Sequence, residues 1–101
     1  MRIAQNDILR FSIEPDYKSP AWPHGYWPTS PAPASQREWA ESARAVREDL
    51  AAFARLIENG DLYKPFSWGD GQNLMREALV LADHNSYHLG QLMLVRRLVG
   101  G

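Results

Sequence analysis

The 101-residue chain has no cysteine. That excludes a disulfide framework and any thiolate metal site, and it fits a reducing, cytoplasmic setting. No apolar run approaches the roughly 18 residues that a membrane-spanning helix needs. Asn6, Asp7 and Arg10 interrupt any secretory apolar core at the start. A dominant charge sign is missing too. Eleven basic residues against 12 acidic ones leave a net charge of −1, so neither nucleic acid nor an anionic membrane is expected as a partner. The chain also lacks a nucleophile elbow, a phosphate-cradling glycine loop and a paired-carboxylate motif, and no catalytic residue can be named from it. Its length allows one domain, residues 1–101.

What is present reads as an all-α domain, with helices predicted near 2–14, 35–59 and 72–98 and no sheet. The middle one is the clearest. Ser35 and Glu38 have capping-box spacing, and Trp39, Ala43, Val46, Leu50, Phe53 and Ile57 follow at steps of 4, 3, 4, 3 and 4. Gly60 is expected to end this helix with a positive φ. In the last helix Leu74, Leu81, His88 and Val95 are seven apart, as are Ala78, Asn85, Leu92 and Val99, which predicts one buried seam. The first segment carries Ile3, Ala4, Ile8, Phe11, Leu9 and Ile13 as its apolar face. No capping residue precedes it, as though the chain began inside a once longer helix. Six of the seven prolines lie between residues 15 and 34, among Tyr17, Trp22, Tyr26 and Trp27. Such a loop has too many rings for a disordered linker and is expected to pack over the bundle. The loop near 61–71, with Tyr63, Phe66 and Trp68, is expected to do the same.

The last seam is polar at one level, where His84, Asn85 and His88 interrupt it. Two histidines four apart on a helix share a face, and their imidazoles can reach one divalent ion. The alternative is a structural pair that hydrogen-bonds to itself, to Asn85 or to a neighbouring helix. Burying polar groups costs free energy unless they are paired or coordinated, which favours a site. Asn85 and Gln91 are candidate donors behind the ligands. Asn85 stands where a zinc protease would have its glutamate base, and Glu77 is followed three residues later by Val80, so neither a protease nor a di-iron motif is present. Gly90 predicts close approach of another helix, or room beside a metal. His24 reads as a loop histidine.

These residues resemble a known family. The stretch WGDGQNLMREALVLADHNSYHLGQLMLVRRL, residues 68–98, is similar to the last helix of the DinB-like proteins, and IAQNDILRF, PDYKSPAWP and YWP resemble a branch of the same family. The resemblance implies an up-down-type four-helix bundle holding a divalent metal, often nickel or zinc, on three histidines. Two of these match His84 and His88. The third would lie on an earlier helix, just before the segment matching residues 2–14, and neither it nor the family's first helix has a counterpart here. The chain thus reads as an N-terminally truncated relative with about three helices. Its metal site is incomplete in one copy, with weak or absent occupancy. Some relatives are thiol-dependent transferases or isomerases, which implies a metal-dependent thiol transferase-type activity on a small-molecule thiol. The competing reading is a non-catalytic module for self-association. In either case a homodimer is expected, because three striped helices leave part of the seam uncovered.

Overall fold

A computed structural model describes residues 1–101. It contains three α-helices, α1 (Arg2–Ile13), α2 (Gln36–Asn59) and α3 (Leu74–Leu98), with a single 3₁₀ turn at His24–Tyr26 and no strand. The capping signals act as their chemistry requires. The Glu38 backbone N–H donates to Ser35 Oγ at 3.1 Å, while the Glu38 carboxylate reaches back to the Ala34 N–H at 2.9 Å. Asn73 Oδ1 accepts the Arg76 N–H at 2.8 Å and starts α3. Gly60 does close α2, but with φ −96°, not a positive angle. A Cβ there would lie 2.8 Å from the Leu56 carbonyl oxygen and 2.9 Å from Leu74 Cδ2. Glycine is needed at this point for the close approach of α3, not for its left-handed freedom.

The order of the helices differs from an up–down bundle. Gln5 meets Val46 and Asn6 meets Asp49, so α1 and α2 run parallel. Gln5 also meets Asn85, while Trp68, ahead of α3, reaches Phe11 at the far end of α1, so α3 runs antiparallel to both. The physical reason is the long connection. Residues 14–35 carry the chain back along the molecule before α2 begins.

The core is small. Leu9, Phe53, Leu74 and Leu81 are buried, flanked by Ile8, Ala52, Leu56, Ile57, Leu62, Phe66 and Ala78. The face that α1 buries is Gln5, Leu9 and Ser12, while Ile13 is exposed. This corrects the purely apolar face read from its sequence. α1 is wedged between two helices, and its polar inward residues are paired: Gln5 with both neighbours, and Ser12 Oγ with the Ile8 carbonyl of α1 itself at 2.8 Å. The two long stripes are also covered over only part of their length. On α2, Trp39 and Leu50 are exposed; on α3, every residue after His88 is exposed. α1 has 12 residues against 24 and 25 for the others, so it covers only one end of each.

The loops pack selectively. Tyr26 donates to Asp7 Oδ2 at 2.8 Å, and burial together with the same carboxylate pushes the Tyr17 phenol up to about 12. Asp7 thus fastens the proline-rich loop to α1, whereas Trp22 and Trp27 of that loop face solvent. In the second connection, Phe66 stacks on Trp68 with centroids 5.0 Å apart and meets Phe11 edge-on at 5.8 Å. Trp68 Nε1 donates to the Phe11 carbonyl at 2.7 Å, satisfying an otherwise unpaired group in the last turn of α1. Tyr63 is exposed.

Candidate metal centre

α3 continues unbroken through Asp83-His84-Asn85-Ser86-Tyr87-His88, so the helical spacing sets the site. Successive residues four apart stand one turn above another on the same face. His84 and His88 meet there, with Nε2 atoms 3.1 Å apart, ring centroids at 4.5 Å and ring planes inclined by 73°. Both side chains are half-buried. In the neutral state one Nε2 carries the proton and the other accepts it. The same separation suits a shared cation. Two imidazole nitrogens, each at about 2.0–2.1 Å from a zinc ion at cis or tetrahedral angles, stand roughly 2.9–3.4 Å apart. The pair therefore needs little rearrangement to exchange its shared proton for a divalent ion.

The surroundings favour neutral imidazole. The His84 pKa is lowered, mainly by burial, then by His88 and by the amino group of Met1, with Asp83 opposing. Neutral imidazole is the metal-binding form. His88 is flanked edge-on by the Tyr87 ring at 5.5 Å. No third histidine, aspartate or glutamate joins the pair in a cluster.

Of the expected supporting residues, Asn85 is brought into the interior and Gln91 is not. Gln91 lies on the exposed side, where its Nε2 donates to Tyr87 Oη at 3.3 Å. Asn85 Nδ2 donates to Gln5 Oε1 at 2.8 Å, and its own Oδ1 is buried with no hydrogen-bond partner. An orphaned buried acceptor on the same helical turn as two imidazoles fits a cation site, since leaving it unpaired costs about 1–3 kcal/mol. Gly90 has no protein atom within 4 Å of where a Cβ would stand, so close approach of a neighbour within one chain does not explain it. His24 is exposed in its 3₁₀ turn.

Gln5 is the residue that sequence reasoning missed. Its signal was available. It stands one turn before Leu9 on a helix too short to survive unpacked, so an inward amide there needed a partner. A cavity of about 600 Å³ lies elsewhere, between the start of α1, the proline-rich loop and the start of α2, and is lined by Arg2, Tyr26, Glu38, Trp39 and Ser42 among others. Neither helix-borne histidine reaches it.

No family model, curated protein or solved structure matches this chain.

Proposed function

We propose that this chain is a DinB-like helical protein that binds a divalent metal ion, nickel or zinc, through His84 and His88. The observation that carries this reading is the 3.1 Å separation of the two Nε2 atoms, hydrogen-bonding distance for one shared proton and coordinating distance for one shared ion. The orphaned Asn85 oxygen supports it. A bound ion would supply Lewis acidity to a donor such as a small thiol, the chemistry that the DinB-like resemblance suggests. The chain's own part is to favour the neutral form of His84 and to hold both imidazoles half-sheltered from water on one helix face. Two histidines make a weak site, so low occupancy is expected in the isolated chain.

Calorimetric titration of the metal-stripped protein with nickel and zinc tests this, alongside His84→Ala and His88→Ala. Loss of binding in both variants is the expected outcome. Equal binding in all three proteins would remove the pair from the site.

A second reading, self-association without catalysis, is favoured by the far half of α3. Leu92, Val95 and Leu98 are 52–76% exposed there on one continuous helix. Under this reading a homodimer covers that face and the histidines are structural. Dimerisation by itself is compatible with the metal reading, since a dimer that brings two histidine pairs together would complete a site that one chain lacks.

A further inference from the structure

We infer that Gln5 is a positioning residue, whose buried amide holds the Asn85 side chain so that Asn85 offers its oxygen, not its nitrogen, to a cation at the His84–His88 level. This deepens the metal reading and rests on it, because it specifies the charge of the ligand that the third polar residue of the site accepts.

Hydrogen-bond polarity carries the argument. The Val46 backbone carbonyl can only accept, so the Gln5 group facing it at 2.8 Å must be the Nε2 donor. Gln5 Oε1 then has to face Asn85, and an oxygen can only receive, so Asn85 presents Nδ2 to it at 2.8 Å. The remaining end of the Asn85 amide is Oδ1, buried and without a partner. Nothing in this relay can be reversed without setting two acceptors against each other. Gln5 is completely buried, so water cannot relieve such a clash. Each link lies on a different helix: α2 sets Gln5 of α1, and Gln5 sets Asn85 of α3.

Asn85 follows His84 by one residue and precedes His88 by three, so its amide belongs to the same turn as the pair. Turned as it is, it adds an amide oxygen to two imidazole nitrogens. All three are acceptors of positive charge, and amide oxygen is a ligand type that divalent cations take readily. Turned the other way, it would present two N–H groups and repel a cation. The relay therefore suits a divalent cation and disfavours an anion. It also explains why an amide stands at a seam position where leucine would pack.

Zinc chloride is the probe, read by calorimetry and by the Asn85 side-chain ¹³Cγ resonance, which reports the state of the amide oxygen without any activity assay. Gln5→Leu, which fills the same space but frees the Asn85 amide, is expected to weaken zinc binding by about tenfold or more. Gln5→Glu should restore it, because a buried carboxylic acid stays protonated, donating to Val46 and accepting from Asn85. A purely structural role for Gln5 would not show this rescue. Zinc should shift the Asn85 ¹³Cγ signal in the wild type and not in His84→Ala. If Gln5→Leu does not fold, Asn85→Leu, which removes the oxygen that the relay directs, is expected to weaken zinc binding likewise. Wild-type zinc affinity in Gln5→Leu, or in Asn85→Leu, with binding abolished in His84→Ala, would overturn the relay and leave the histidine reading standing. Undiminished binding in His84→Ala would overturn both.

Discussion

Among single residues, the buried polar ones say most. Gln5, Ser12 and Glu77 equal the buried apolar residues almost one for one, and each is hydrogen-bonded: Ser12 and Glu77 to residues of their own helix, Gln5 to the two neighbouring ones. Glu77 is the least comfortable. Burial pushes its carboxyl above the ordinary carboxylate range, the Arg76 guanidinium at 2.8 Å pulls it down, and the Asp7 charge adds to the upward push. A carboxyl whose folded pKa exceeds its unfolded value supports the fold fully only below the unfolded value, and that support is lost as pH rises through the folded pKa. Glu77→Gln, neutral throughout, should therefore gain in melting temperature relative to wild type as pH is raised from about 4 to about 8. A gain that shrinks over this range would show that the Arg76 pairing outweighs burial. Phe53 is the opposite case, the most enclosed apolar residue at 1% exposure. Phe53→Ala should cost about 3–5 kcal/mol by denaturant titration, a large part of the stability of so small a core. The histidine pair was legible in the sequence because spacing alone puts positions four apart on one face. For Gln5 the spacing before Leu9 was legible but its partners were not, because they lie on the two helices to either side of it.

For whole elements, the caps and glycines can be tested separately from the site. Removing the Ser35 cap with Ser35→Ala should cost about 1 kcal/mol, since the Glu38 N–H loses its acceptor. The two helix-associated glycines should respond in opposite directions. Gly60→Ala forces a Cβ to within 3 Å of both a backbone oxygen and Leu74, and should destabilise the α2–α3 corner. Gly90→Ala meets open space in the middle of α3 and should raise thermal stability by roughly 0.5–1 kcal/mol in the single chain. If Gly90 instead lets another helix approach, the same substitution will weaken association, and sedimentation at several concentrations separates the two effects. All three helices and their approximate ends could be read from stripes and caps, because these are local properties. The parallel course of α1 and α2 could not, because it depends on how residues 14–35 cross the molecule, and that crossing is held by Asp7 and Tyr26, 19 positions apart.

At the level of the whole molecule, the imbalance is between stripes that run the length of α2 and α3 and a first helix half as long. Fully burying a leucine or valine is worth about 1.5–3 kcal/mol, so three or four left in water forfeit much of the 5–15 kcal/mol that stabilises a typical domain. A two-fold dimer through the far half of α3 would recover it. Light scattering coupled to size exclusion at micromolar concentration should give a mass near twice 11.5 kDa, and Leu92→Lys should return it toward the monomer. A wild-type mass near 11.5 kDa, with an unfolding midpoint independent of concentration, would show that the single chain is self-sufficient.

The sequence by itself determined the all-helical class, the capping of α2 and α3 and the facing of His84 and His88, since each depends on residues within a turn or two of one another. It also determined that no helix is long and apolar enough to cross a membrane. Only the tertiary structure decided how much of each apolar stripe is buried, which way the helices run, and that an amide on α1 orients an amide on α3. Those outcomes depend on contacts between residues 40 to 80 positions apart, such as Gln5 with Val46 and with Asn85. Periodicity shows which face of a helix is apolar, but it carries no information about how far a neighbouring helix extends to cover it.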